Sequence, residues 1–190
     1  HLVEIQTQAF CCKGITENLL DFSRASDAQR KPTELREIFQ SVVDLASHLG
    51  KNQGKEVVLA TGPSVYAAVN VQQIKQVAVN LVVNALERAE TGGTVEVSLR
   101  KVGDDVELVV ADDGPGLSDD ELRQVFEPNC GTRRCGSGIG LGLSISARII
   151  EDHGGRITAY SPGPGAGTRL RVCLPFPPAS KENEHRYQAA

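Results

Sequence analysis

QVAVNLVVNALERA, residues 76–89, is apolar from Val77 to Leu86 except for two asparagines. On a helix, Asn80 and Asn84 lie one turn apart and project their amides from the same face. The pair could share a ligand, or it could be two ordinary polar residues at a helix edge. The surrounding pattern predicts a long helix from about Val71 to Ala89, closed by Gly92 and Gly93. Directly downstream, Val95, Val97 and Leu99 alternate, as do Val106, Leu108 and Val110, with Gly103 and Asp104 between them. That is a β-hairpin.

Upstream, Pro32 ends a polar link, and Thr33 is placed to cap a helix bearing Leu35, Ile38, Val42, Leu45 and Leu49, which Gly50 ends. Short apolar runs at Val57–Ala60 and Val65–Val69 read as strands. Farther upstream, Leu2, Ile5, Ala9, Cys12, Thr16 and Leu19 recur at steps of three and four, the seam of a helix that packs on another helix. Toward the other end, Ser118 and Glu121 have capping-box spacing for a short helix ending near Phe126. A glycine-rich loop then enters a helix from about Gly142 to His153, stopped by Gly154 and Gly155. Strands Arg156–Tyr160 and Thr168–Leu174 precede a Pro-rich polar tail expected to be disordered. The expected fold is α/β, a two-layer sandwich of a mixed sheet covered on one face by helices and preceded by one long helix. Its divisions are residues 1–28, 29–176 and 177–190.

Composition supports that division. The 190 residues are 40% hydrophobic, enough for one ordinary domain and an appendage, with a core of Val, Leu, Ile and Ala because aromatics are only 4% and Trp is absent. A net charge of -4 without clustered Lys and Arg argues against nucleic acid as a partner. No apolar run reaches the roughly 20 residues that span a bilayer. The absence of Met leads us to expect a fragment of a longer protein, whose parent could be anchored in the inner membrane while this module is cytoplasmic. Cys11, Cys12, Cys130, Cys135 and Cys173 form no Cys-x-x-Cys pair, so a reducing cytosol is the simple reading, and a redox switch through Cys130 and Cys135 the sharper one.

Three further clusters carry chemistry. Asp112, Asp113, Gly114, Pro115 and Gly116 follow a strand, where an acidic glycine turn could simply reverse the chain. A carboxylate there can also accept a hydrogen bond from adenine's exocyclic amine, and Asp112 is the candidate. Gly136, Gly138, Gly140 and Gly142 stand before a helix, where bare backbone and helix N–H groups suit phosphates. Arg133 and Arg134 in that loop could meet phosphate charge or remain solvated. Gly165, Gly167 and Thr168 open the last strand, either as a flexible loop or with the Thr168 hydroxyl at the base.

In this order and spacing, the chain resembles the catalytic ATP-binding domain of sensor histidine kinases, within the family that includes gyrase, Hsp90 and MutL. QVAVNLVVNALERA resembles the asparagine box, DDGPGL the first glycine box, VFEP the phenylalanine box, GSGIGLGLSISARIIEDHGGRI the second glycine box and GAGTRLRVCLP the third. NLLDFSR, residues 18–24, is similar to the end of the second helix of the dimerisation hairpin.

The resemblance implies ATP and magnesium, with Asn84 as the metal ligand and Asn80 as a phosphate-side catalytic partner. Asp112 would read adenine with support from Thr168. Gly114 and Gly116 would let backbone turn close to the base, and Gly136, Gly138, Gly140, Leu141 and Gly142 would surround the phosphates. Arg133 stands where the family often has a lid lysine, and Arg134 beside it would bind nucleotide. Asn129 and Cys130 replace the usual lid aromatics, and Glu87 replaces a phosphate-binding lysine common in relatives. None of His1, His48, His153 and His185 fits the acceptor, which belongs on an upstream helix, and His153 reads as structural. The implied activity is transfer of the ATP γ-phosphate to that histidine, for relay to a response-regulator receiver domain by a homodimeric kinase. An anti-sigma-type serine kinase and a non-catalytic nucleotide-sensing module are the alternatives.

Overall fold

The computed structural model describes residues 30–128 and 141–176. Its elements are β1 (Lys31–Glu34), α1 (Leu35–Asn52), β2 (Glu56–Leu59), β3 (Tyr66–Val69), α2 (Val71–Arg88), β4 (Thr94–Val102), β5 (Asp105–Asp112), α3 (Asp119–Gln124), α4 (Gly142–Asp152), β6 (Arg156–Tyr160) and β7 (Thr168–Pro175). The expected amino-terminal helix and polar tail lie outside the described residues.

Five strands form one mixed sheet in the order β2-β4-β5-β7-β6, with β2 parallel to β4 and the other pairs antiparallel. The strands alternate as their sequences require. Val95, Val97 and Leu99, with Val106, Leu108 and Val110 and with Leu170, Val172 and Leu174, are buried on the face that receives the helices. Helix α2 is the middle of that layer, packed between α1 and α4. It begins where Asn70 Oδ1 accepts from the amides of Gln72 and Gln73, at 3.0 and 3.3 Å. On the other face, the buried Glu107 carboxylate sits between guanidiniums from both neighbouring strands, Arg100 on β4 and Arg171 on β7. The β4–β5 hairpin turns through Gly103, at φ +61°, and Asp104, and the Ser118–Glu121 capping box is complete.

Four expectations on the first elements are corrected. Residues 31–34, expected as the end of a polar link and the start of a helix, are a strand paired antiparallel with β3. Thr33 does not cap α1: its hydroxyl donates to Lys31 O at 2.9 Å, and Glu34 occupies the N-cap position. The buried stripe of α1 is Leu35, Ile38, Phe39, Val42, Val43 and Ala46, while Leu45 and Leu49 are exposed. Gly50 also lies inside the helix rather than ending it. A Cβ there would stand 2.9 Å from Lys55 O, so the glycine permits close return of the chain into β2.

Candidate functional site

The adjacent ends of β5 and β7 create the site's polar floor. Asp112 and Thr168 are register partners, both buried, on the helix-covered side of the sheet. Asp112 Oδ1 accepts from the Gly114 amide at 3.0 Å, closing the turn beneath the carboxylate. Burial pushes the Asp112 carboxyl above its ordinary value, opposed by the Gly114 amide, the positive charge of Arg88 and the Thr168 amide. Thr168 Oγ1 is buried without a hydrogen-bond partner among the described residues. A buried acceptor beside an unsatisfied hydroxyl is the donor-and-acceptor set that a heterocyclic base would satisfy.

Glycines make this floor possible. A Cβ on Gly167, which has φ +73°, would lie 2.1 Å from Asp112 O, and one on Gly114 would lie 2.4 Å from Arg88 O. The Gly114–Gly116 turn is joined to the 162–167 loop by Gly167 N donating to Gly114 O at 3.1 Å and Gly165 N to Pro115 O at 2.6 Å. Ser161 locks the junction, accepting from Leu117 N at 3.0 Å and donating to Gly167 O at 2.7 Å.

Helix α2 forms the opposite wall. Asn80 donates from Nδ2 to Gly142 O at 3.1 Å and to Ser146 Oγ at 3.2 Å, tying α2 to the first turn of α4. Its Oδ1 remains as an acceptor. One turn on, Asn84 is half-buried and has no hydrogen-bond partner among the described residues, leaving a hard amide oxygen for a cation such as magnesium. Leu141 is the N-cap residue of α4 and supplies no side-chain hydrogen bond to its first amides, the N–H groups that suit an anion. Arg133, Arg134, Gly136, Gly138 and Gly140 lie outside the described residues, as do Cys130, Cys135, His1 and His185.

Residues 69–178 match the family model described as histidine kinase-, DNA gyrase B- and HSP90-like ATPase. The chain belongs to this family.

Among its relatives are the sensor histidine kinase ZraS of Klebsiella oxytoca, 28% identical over 90% of this chain and 37% of that protein, and the Streptomyces coelicolor sensor protein CutS, 34% identical over 85% and 40%. The chain thus spans well under half the length of these relatives. The nucleotide-free catalytic domain of histidine kinase ThkA superimposes with a TM-score of 0.70 at 26% identity, covering 78% of this chain and 96% of that one. Full-length ShkA in complex with AMPPNP gives a TM-score of 0.72 at 26% identity, covering 85% and 35%. The fold is that of the sensor-kinase catalytic ATPase domain, a mixed sheet with helices on one face.

Three contributors to this ATPase domain's site escaped the sequence reading. Ser161 and Arg88 act through backbone partners distant in sequence and Ser146 through the Asn80 side chain, whereas a serine or an arginine at a helix end ordinarily signals solvent contact. His153 is structural, as expected: it is buried, its Nδ1 faces Ile149 O at 2.7 Å, and its Nε2 accepts from Asn70 N at 3.1 Å. His48 is bonded to its own helix through Asp44 O.

Proposed function

We propose that this domain binds magnesium-ATP and presents the γ-phosphate to a histidine on a separate helix of the same kinase. The unsatisfied Thr168 hydroxyl beside the buried Asp112 carboxylate carries this reading, because the pair lacks a partner that a nucleobase would provide. Asp112 accepts the adenine amine, a contact that guanine's carbonyl oxygen cannot make. The turn glycines let backbone lie close to the ring, and the start of α4 at Leu141 and Gly142, with Gly136, Gly138 and Gly140 before it in sequence, would surround the phosphates. Asn84 would hold magnesium, which when bound offsets phosphate charge. Asn80 braces α4 through its amide nitrogen and offers its oxygen to the phosphate side, and Arg133 and Arg134 would supply positive charge.

In the transfer, an imidazole nitrogen of the acceptor attacks the γ-phosphorus in line. The nitrogen–phosphorus bond forms as the bond to the ADP oxygen breaks, and a neighbouring acidic residue accepts the imidazole proton. A response-regulator aspartate would then receive the phosphoryl group. We assign residues 29–176 to this domain and residues 1–28 to the second hairpin helix, in a homodimeric kinase whose module is cytoplasmic. No helix among the described residues is long and apolar enough to cross a membrane.

Mixing the chain with the separate hairpin segment and labelled ATP should yield phosphate bound to histidine and lost in mild acid. An acid-stable product would instead indicate serine, and no transfer despite bound nucleotide would leave a sensing module. Asn84→Ala should abolish magnesium-dependent ATP binding. Unchanged affinity would remove Asn84 from the site.

A further inference from the structure

Arg88 closes α2 in the position of a residue that normally points into water, yet its guanidinium turns inward. Its Nη2 donates to Gly116 O at 2.5 Å, and its Nε is buried without a partner among the described residues. The Arg88 carbonyl underlies the same turn: a Cβ on Gly114 would come within 2.4 Å of that oxygen. Gly116, at φ +70°, leaves no room either, because a Cβ there would lie 2.2 Å from Gly163 O. One residue of the asparagine helix therefore touches the glycine turn through both backbone and side chain, at the two glycines that bracket Pro115.

We propose that Arg88 is a positioning residue for base recognition: its guanidinium clamps the Gly116 carbonyl and holds the glycine turn against α2, so that Asp112 meets the nucleobase in a fixed orientation. This inference rests on the nucleotide reading of the site. Arg88 ties α2 to the glycine turn, and Asn80, two turns earlier on the same helix, ties α2 to α4 through Gly142 and Ser146. Arginine suits the task because its planar fork directs one donor to a carbonyl while keeping a permanent positive charge.

The charge has a second consequence. Asp112 faces Arg88 from α2, the adjoining Asp113 carboxylate, and the amides of Gly114 and Thr168. Asp113 is itself engaged, accepting from Thr94 N at 2.8 Å. Among the described residues, Arg88 is thus the cation that opposes burial and the Asp113 charge by favouring the ionised form of Asp112. A side chain that only filled space here would leave the protonation of Asp112 unaltered.

The test is magnesium-ADP affinity of the full 190-residue chain by calorimetry from about pH 4.5 to about pH 8, with a thermal melt at each pH. In the wild type, affinity should fall on the acid side as Asp112 takes up a proton. Arg88→Met should weaken binding about tenfold at the alkaline end and move the acid midpoint up by about half a pH unit or more. Arg88→Lys, which keeps the charge but not the fork, should weaken binding while leaving the midpoint near that of the wild type. A folded Arg88→Met protein whose profile coincides with or runs parallel to the wild-type profile would overturn the proposal. If Arg88→Met does not fold, Arg88→Lys decides: wild-type affinity at the alkaline end overturns the clamp, and weaker binding at an unmoved midpoint supports it. Failure of the wild-type chain to bind magnesium-ADP at any pH would refute the nucleotide site itself.

Discussion

The Asp112 carboxylate stands in a buried place that favours its neutral form. Burial raises its folded-state pKa, so the native chain holds this proton to higher pH than the unfolded chain. Its contribution to stability is present at low pH and is lost as pH rises through the folded value. Asp112→Asn should therefore raise the Tm of the nucleotide-free protein near neutral pH. It should also remove a hydrogen bond to a charged acceptor, worth about 1.5–3 kcal/mol, or roughly ten- to a hundredfold in ADP affinity. Melts with and without ADP read both effects together, and a fall in both would contradict the assignment. Thr168→Val should leave nucleotide-free stability unchanged or slightly higher, because the hydroxyl has no partner to lose. Its loss of ADP affinity should be about two- to tenfold, one neutral hydrogen bond.

The elements show why neighbouring residues of the same type have different fates. In α1, a strict alternation of three and four residues advances at 3.5 per turn, whereas a straight helix turns every 3.6. Over four turns the seam slips sideways. Ala46 and Gly50 take the core positions, and Leu45 and Leu49 reach the flank, 61% and 48% exposed. Leu45→Lys should change stability by no more than about 0.5 kcal/mol. Phe39→Ala, at 1% exposure, should cost about 3–5 kcal/mol. Gly50→Ala should destabilise by about 1–3 kcal/mol despite alanine's higher helix propensity, since its Cβ meets the Lys55 carbonyl. Urea melts of the three variants give the ranking, and equal losses at Leu45 and Phe39 would contradict the register.

Across the whole molecule, His153 joins parts 83 residues apart by accepting from the Asn70 amide at the start of α2. Its other nitrogen, facing the Ile149 carbonyl, must carry the proton, so the ring is neutral. Burial lowers its pKa below 6.5, opposed by the Ile149 carbonyl, with Arg30 adding to the fall and Asp152 opposing it. The unfolded chain then binds a proton that the native chain refuses. Stability from this group is present above about pH 6.5 and declines as pH falls from there toward the folded value. His153→Ala should cost about 1–3 kcal/mol at neutral pH and flatten the pH dependence of unfolding in that window. An unchanged slope would show that the ring does not titrate differently in the two states.

Much of this architecture is written locally. The two periods of apolar residues place the β4–β5 hairpin, α2 and α4 within a residue or two, because each pattern marks the face that meets the core. Strand β1 carries no such signal: Lys31, Pro32, Thr33 and Glu34 become a strand only by pairing with β3, which lies more than thirty residues away in sequence. The candidate site divides along the same line. Asp112, the turn glycines and the asparagine pair are legible in their spacing, since a turn and a helix bring them together without help from elsewhere. Pairing Asp112 with Thr168, turning Arg88 inward onto Gly116 and placing Ser161 between two loops require the assembled sheet and helix layer. Sequence alone determined the elements other than β1 and the chemical types at the site. Only tertiary structure decided which polar groups are buried together, because burial and long-range hydrogen bonding exist only after the layers have packed.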